Sequence, residues 1–201
     1  RILKVDIIPR FSMNTSFADI EKKENRKDLI ISICVFLSGF SCFAQLYYFQ
    51  PLLPDLAKDF ILSASESSFA ISFSTLGMVF GLFTTMFVAD RIPRKKMIGT
   101  GLLSSSIFSV AASFSPTFLP LILLSAAKGF LLSGATSVSM AYIAEEVSSR
   151  NKGKIMGLYI AGNALGGMAG RVISSWIGAL YTWRIASVSI GLICALLAIL
   201  F

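Results

Sequence analysis

Apolar residues fill six long runs of this chain, and the charged residues gather in the short segments between the runs. A helix over the first run, 29–49, is about 32 Å long at 1.5 Å per residue, which matches a bilayer hydrocarbon core of about 30 Å. The later runs are of comparable length. We therefore predict six transmembrane helices, over 29–49, 67–89, 97–112, 117–143, 155–181 and 184–201.

The composition is that of a membrane protein rather than a water-soluble domain. Apolar residues make up 55% of the chain and charged residues only 14%, whereas soluble chains carry about 25% charged residues. Because the connecting segments are short, neighbouring helices are expected to pack antiparallel as a bundle. Pro51 and Pro54 are expected to break the first helix into an outer loop. The predicted fold class is an all-α membrane protein.

The positive charges alternate from one connecting segment to the next. Of the 18 Lys and Arg residues, 14 lie in segment 1–28, in the loop near Arg94 and in the loop near Lys152, while the other loops hold only Lys58 and Arg184. Loops rich in Lys and Arg stay in the cytoplasm, which places the N-terminus there. The net charge of +7 is thus explained by topology. A nucleic-acid partner would need a basic face on a soluble module, and none is expected.

Few residues of this chain are suited to metal binding or catalysis. The chain has no His, and its three cysteines, Cys34, Cys42 and Cys194, lie in apolar runs, so neither a metal site, a cofactor nor a disulfide framework is expected. A membrane enzyme would need clustered His, Asp or Glu at one membrane face. The one adjacent acidic pair, Glu145 and Glu146, has no such partners, and we expect no enzymatic activity.

Two features of the chain ends suggest a fragment. Residue 1 is Arg rather than Met, and the last residue, Phe201, lies inside an apolar run. Met13 is a candidate natural start. We divide the chain into a cytoplasmic tail, 1–28, and a six-span bundle, 29–201.

The loop after the second run combines a carboxylate with several cations. Asp90, Arg91, Arg94 and Lys95 match the pattern Gly-x-x-x-Asp-Arg-x-Gly-Arg-Arg/Lys of the major facilitator superfamily, which this segment resembles. The resemblance implies a conformational switch, in which these charges pair across two halves of a transporter and complement helix dipoles at its inner side. A plain cytoplasmic loop would explain the cations but not Asp90.

A lysine lies deep in the fourth run. Lys128 is 11 residues from Thr117, about 16 Å along a helix, and therefore near the membrane midplane. A cation there costs about 2.5–3.5 kcal/mol on insertion scales, so it should face the bundle interior or a water-filled cavity. With Gly134 and Ala135, it resembles the family pattern Arg-x-x-Gln-Gly-x-Gly-Ala. Lys128 either pairs for structure or contacts the substrate or the coupling proton.

Glycines form one face of the fifth run. Gly162, Gly166 and Gly170 recur every four residues, a spacing that lets another helix approach closely. The segment resembles the antiporter signature Gly-x-x-x-Gly-Pro-x-x-Gly-Gly, with Gly167 in the Pro position and Arg171 in the last Gly position. The alternative is ordinary helix packing through small residues.

The resemblance covers 29–201 and implies the N-terminal half of a twelve-span transporter. A second six-helix half, absent from this chain, would complete it, and a small-molecule substrate would bind between the halves near the midplane of the bilayer. The residues expected to line that cavity are Gln45, Tyr48, Gln50, Lys128, Ser133, Ser137, Asn163 and Arg171, with Ser41 next on the stripe of the first helix. An equally good interpretation of Tyr47 and Tyr48 is that they are interfacial anchors, since both lie near an outer helix end.

The function implied is proton-coupled efflux of drugs, sugars or metabolites across the bacterial inner membrane. Uptake by proton symport is the alternative, and a passive channel or structural subunit is a third. No Asp or Glu lies in the middle of a predicted span. Either the coupling carboxylate belongs to the absent half, or Lys128 carries the proton, or transport is uncoupled.

Overall fold

The structure, a computed structural model, describes the backbone of residues 10–201 and the side chains from residue 22 onward. Residues 1–9 of the predicted tail lie outside the described residues. From Arg10 the chain is already helical, and α1 continues to Tyr47 through 38 residues. No Pro or Gly occurs between residues 10 and 28, so nothing in the sequence stops the helix at the predicted boundary.

The described residues form eight α-helices and one 3₁₀-helix. The six long helices correspond to the six predicted spans, and their ends lie within three residues of the predicted ends, apart from the start of α1. The 3₁₀-helix is Gln50–Leu52, and the α-helices are α1 Arg10–Tyr47, α2 Leu53–Asp59, α3 Ala64–Ser67, α4 Phe69–Val88, α5 Arg94–Ser113, α6 Phe118–Glu146, α7 Lys152–Leu180 and α8 Trp183–Leu200. The predicted all-helical fold class is confirmed.

The first helix ends before Pro51, at Tyr47, as expected, but the prediction that a loop follows it is wrong. Residues 50–59 are helical, because Pro51 and Pro54 occupy the first positions of the 3₁₀-helix and of α2. A proline at such a position lacks only an N–H group that would have no helical partner, and its φ already suits a helix. Leu52 and Leu56 of this segment are fully buried against Trp183. The segment therefore closes one end of the bundle.

Four stretches of the described chain are long and apolar enough to cross a membrane: Lys22–Asp59, Ala64–Val88, Phe118–Glu146 and Trp183–Leu200. The other two long helices, α5 and α7, carry more Ser, Gly and charged residues. α5 packs between α6 and α8, whereas α7 packs along α1 with one face and leaves the other exposed. The serines of α5 and most glycines of α7 are therefore accommodated inside the bundle.

Several buried serines of α5 donate hydrogen bonds to backbone carbonyl oxygens of their own helix. The hydroxyls of Ser105 and Ser106 donate to the Leu102 carbonyl oxygen at 2.8 Å, and Ser113 donates to the preceding turn in the same way at 2.6 Å. Ser109 instead donates to the side chain of Gln45 on α1, at 3.3 Å. Such bonds to the same helix remove the cost of burying a hydroxyl among apolar groups.

The helix pairs touch through glycines. Gly166 lies so close to α1 that a Cβ atom there would meet the backbone of Phe40, and Gly162 and Gly170 lie against the backbone in the same way. An equivalent contact joins α4 and α6, where Gly129 lies against the backbone of Ser74. The glycine face predicted over 162–170 therefore packs against α1.

The bundle has two distinguishable ends. The basic end is formed by the first described side chains of α1 and by the segments 89–93 and 147–151. The opposite end is formed by residues 48–63, 114–117 and 181–182. Apolar clusters fill the interior from the basic end, where Ile31 packs with Ile143 and Ile155, to the opposite end, where Phe49 packs with Trp183.

We expect Gly166→Ala to destabilise the bundle. The added methyl group meets the Phe40 backbone, which cannot rotate away as a side chain could, and overpacking costs about 1–3 kcal/mol. The midpoint of thermal unfolding of the full-length protein in detergent should fall. A thiol-reactive dye reports unfolding, because Cys42 and Cys194 are buried and free.

The matched control is Gly157→Ala on the same helix, where a Cβ atom meets nothing within 4 Å. Alanine is the better helix former, so this variant should keep or raise the midpoint. Equal midpoints for the two variants would show that α7 does not pack this closely on α1.

Candidate functional site

The candidate site begins with the amino group of Lys128, which lies inside the bundle. The side chain is only 1% exposed. Its nitrogen lies 4.5 Å from the centre of the Tyr48 ring and 4.8 Å from that of Phe49. Two aromatic faces stabilise a desolvated ammonium group by cation–π attraction. No described carboxylate forms an ion pair with it.

Polar side chains of α1 and α5 extend from Tyr48 along the bundle interior. Gln45, which is fully buried, donates to the Ser41 hydroxyl at 3.4 Å and accepts from the Ser109 hydroxyl at 3.3 Å. Ser41 in turn donates to a backbone carbonyl of α8, that of Cys194, at 3.5 Å. We call this group the interior polar cluster: Ser41, Gln45, Tyr48, Ser109 and Lys128.

Several polar atoms of this region are buried without a hydrogen-bond partner among the described residues. They are the Lys128 amino group, the Tyr48 hydroxyl and the hydroxyl of Ser125, one turn before Lys128 on α6. Most buried polar groups in proteins are hydrogen-bonded, and an ionisable group at membrane depth usually marks a functional site. The concentration of such atoms around Lys128 makes it the strongest candidate site of the described bundle.

The structure brings together three of the eight predicted cavity residues, Gln45, Tyr48 and Lys128, with Ser41 beside them. The remaining residues lie elsewhere. Ser133 donates to the carbonyl oxygen of its own helix and contacts Gly81 of α4, while Ser137 is exposed. Asn163 lies against Gly39 in the contact between α1 and α7.

Arg171 and Gln50 also lie outside the cluster. Gln50 is half-buried in the 3₁₀-helix. Arg171 is exposed on α7, and its guanidinium lies 4.6 Å from the centre of the Tyr47 ring. Tyr47 therefore points away from the interior that holds Tyr48, as expected for consecutive residues of a helix.

The charged loop predicted as a switch lies at the basic end. Asp90, Arg91 and Lys95 are exposed there, and Arg94 forms a two-pronged ion pair with Glu145 at the end of α6. Hydrogen bonding to this carboxylate raises the pKa of Arg94 above its usual range. The pair joins α5 to α6, so Arg94 is engaged within this bundle. Sequence reasoning did not assign Glu145 this partner, because the two residues are 51 positions apart.

Asp28, which the sequence analysis missed, is another buried group of the basic end. Its side chain is 5% exposed and accepts hydrogen bonds from the Ser148 hydroxyl at 2.6 Å and the Asn151 amide at 2.8 Å. These bonds tie α1 to the segment between α6 and α7. The available signal was a carboxylate placed directly before an apolar run.

The opposite end has a comparable clamp centred on Asp59. Its carboxylate accepts from the Trp183 indole at 2.9 Å and from Arg184 at 3.2 Å. Arg184 also donates to the carbonyl oxygens of Ser113 and Ser115. The clamp joins α2, α5 and α8. From the sequence alone, Arg184 was interpreted as an ordinary loop charge.

Comparisons with known proteins agree with this architecture. The family model described as Major Facilitator Superfamily matches residues 32–201. An uncharacterized transporter of Buchnera aphidicola subsp. Schizaphis graminum is 38% identical over 182 residues, which are 90% of this chain and 44% of that protein. The inner membrane transport protein YnfM of Escherichia coli K12 is 36% identical over 85% of this chain and 41% of its own length.

A solved structure shares the fold. The proton:xylose symporter XylE, bound to 6-bromo-6-deoxy-D-glucose, superposes with a TM-score of 0.78 at 15% identity, over 88% of this chain and 44% of that one. At this identity the likeness concerns the fold alone. The chain spans less than half the length of the relatives and of the structure that it matches.

We expect Asp28→Ala to loosen the basic end. The change leaves the Ser148 hydroxyl and the Asn151 amide without their acceptor, which costs about 1–3 kcal/mol for buried groups. In the full-length protein, the midpoint of thermal unfolding should fall, and trypsin should cleave faster at Lys152. Asp28→Asn keeps one acceptor oxygen and should lower this midpoint less.

Lys27→Ala is the control, because it removes an exposed ion pair with Glu146 at the same end. Exposed pairs contribute little, so its midpoint should stay close to that of the unmodified protein. If Asp28→Ala behaves like Lys27→Ala, the carboxylate does not hold the two segments together.

Proposed function

Because the chain belongs to the major facilitator superfamily, we propose that it forms the N-terminal half of a secondary active transporter that moves a small molecule by alternating access. The match over 32–201 and the six-helix bundle support this proposal. In it, a second six-helix half completes the protein, and substrate binds between the halves. We propose that the cavity residues named in the sequence analysis face that space and that the charged loop around Asp90 controls access to it.

We place the basic end in the cytoplasm of a bacterial cell, with the protein in the inner membrane. The segments 89–93 and 147–151 and the start of α1 meet at this end, together with most of the Lys and Arg residues of the loops. Positively charged loops remain on the cytoplasmic side. One relative is itself named as an inner membrane transport protein.

The burial of Lys128 carries the mechanistic part of the proposal. Its amino group is enclosed by Tyr48 and Phe49 and has no acidic partner among the described residues. Lysine, unlike arginine, changes its protonation state readily when it is buried. We therefore assign to Lys128 the binding and release of the coupling proton, rather than first contact with the substrate.

The proposed direction is efflux by exchange for protons. The glycine face of α7 supports it, since this segment is similar to an antiporter signature. Gly167 stands where that signature has Pro, and this departure favours the second candidate, uptake by proton symport. The two differ in the direction in which protons move when substrate is added.

The test uses membrane vesicles that contain the full-length protein and are screened with cationic drugs, sugars and organic acids. In inside-out vesicles acidified by respiration, substrate of an antiporter releases protons and restores the fluorescence of a quenched weak-base dye. In right-side-out vesicles without a gradient, substrate of a symporter makes the external medium more alkaline. A passive pore would produce neither signal. Substrate movement without either proton signal would exclude coupled transport.

We expect Lys128→Ala and Lys128→Met to abolish the substrate-induced proton signal. Met keeps most of the side-chain volume and removes a charge that is costly to bury, so this variant should insert and fold normally. The measurements are the dye signal and the thermal unfolding midpoint of the same preparation. A wild-type proton signal from folded Lys128→Met protein would exclude this residue from coupling.

We expect Asp90→Asn to slow turnover without changing substrate affinity. Asp90 is exposed beside Arg91 and Arg94, where a switch between conformations would change its partners rather than the binding site. The measurements are the rate of the dye signal and its half-saturating concentration. Glu24→Gln, another exposed carboxylate of the basic end, is the matched control. Equal rates in both variants would show that the loop serves topology alone.

A further inference from the structure

Arg171 is a cation at membrane depth on the outside of this bundle. It lies 19 residues after Lys152 and nine before Leu180, about 28 Å and 14 Å from the two ends of α7. A guanidinium exposed to lipid tails at that depth is strongly disfavoured, so it should face protein or a water-filled space. In the proposed transporter, that space lies between the two halves.

The ring of Tyr47 lies directly under this cation. The two side chains come from α1 and α7, and the guanidinium carbon is 4.6 Å from the ring centre. Gly167 favours the arrangement, because a Cβ atom there would lie 3.2 Å from the Tyr47 ring and 3.9 Å from Phe43. A methyl group at this position would make the ring shift by a few tenths of an ångström.

The surroundings of Arg171 lack a compensating negative charge. The ion pairs recorded for the described residues lie at the ends of the bundle and involve Glu145, Glu146 and Asp59. Between those ends, the charged side chains of the described spans are Lys128 and Arg171, both cations. An anion approaching this face is therefore attracted by the protein field.

The donor geometry indicates which anion fits. A guanidinium offers a planar fork of N–H donors that binds a carboxylate through two parallel hydrogen bonds. The neighbouring Tyr47 ring offers a flat apolar surface on which an aromatic body can stack. We propose that Arg171 and Tyr47 form the recognition site for a substrate with a carboxylate group, on the face that opposes the second half. This inference rests on the proposed function and names its substrate class.

The experiment measures benzoate binding to the purified full-length protein by calorimetry, with benzamide as the uncharged ligand of the same shape. Benzoate should bind and benzamide should not. We expect Arg171→Gln to weaken benzoate binding at least about tenfold, as charge-assisted hydrogen bonds are lost. Arg171→Lys keeps the charge but not the fork, and should weaken binding less.

Two further variants test the aromatic surface. Tyr47→Leu removes the ring and should weaken benzoate binding about three- to tenfold, and Tyr47→Phe should weaken it less. Gly167→Ala should weaken it as well, since the methyl group displaces the ring. Lys154→Gln removes one exposed cation from the basic end of α7 and serves as the matched control with unchanged affinity.

Three outcomes would overturn the inference. The first is equal affinity for benzoate and benzamide, or unchanged benzoate affinity in Arg171→Gln. The second is a lower unfolding midpoint of ligand-free Arg171→Gln without any benzoate binding by the parent protein, which would identify a carboxylate of the second half as the partner. The third is loss of bound phosphatidylglycerol in Arg171→Gln without benzoate binding, which would identify a lipid headgroup.

The same data separate this inference from the proposed function. Benzoate binding is measured at equilibrium without a proton gradient, whereas coupling is measured by the dye signal in vesicles. A proton signal with sugars or cationic drugs but no benzoate binding would reject the carboxylate site alone. Benzoate binding that depends on Arg171, without any proton signal, would reject coupled transport alone.

Discussion

The close approach of helix backbones through glycine is the constraint on which the rest of this bundle depends. Lipid tails are as apolar as leucine, so helices in a bilayer associate through packing and hydrogen bonds rather than through the hydrophobic effect. Gly166 against Phe40 joins α7 to α1, and Gly129 against Ser74 joins α6 to α4. Because these contacts fix the separation and rotation of the helices, they also decide which polar side chains turn inward and become buried.

Hydrogen bonds to carboxylates stabilise the two ends of the bundle, whereas close helix packing stabilises its middle. Asp28 receives hydrogen bonds at the basic end, and Asp59 receives them at the opposite end from Trp183 and Arg184. Between these clamps the only buried charged side chain of the described residues is Lys128. In the proposed coupling, this amino group gains and loses a proton without breaking an ion pair, because it contacts rings rather than a carboxylate.

The length of the apolar runs predicted the ends of the six long helices within about a turn, apart from the start of α1, because bilayer thickness sets span length directly. Spacing along α1 also predicted that Ser41 and Gln45 share a face, and the two side chains are hydrogen-bonded. It did not show that Ser133 and Ser137 lie apart from these residues, because the rotation of α6 is set by its glycine contact with α4, which one helix alone does not reveal. Pro51 was misread because proline stops a helix from within but suits its first turn. The contact between Arg94 and Glu145 required the tertiary structure.

The serines of α5 have a consequence for how the protein is made. A newly synthesised span meets the bilayer before its neighbours are in place, and an unpaired hydroxyl would then oppose its insertion. Ser105, Ser106 and Ser113 donate to their own helix, so α5 brings these hydroxyls already satisfied. The Ser109 hydroxyl instead donates to Gln45 of α1, so its partner is on another helix. Assembly can therefore proceed by insertion first and alignment afterwards, and the Ser109–Gln45 bond forms once the third span packs beside the first.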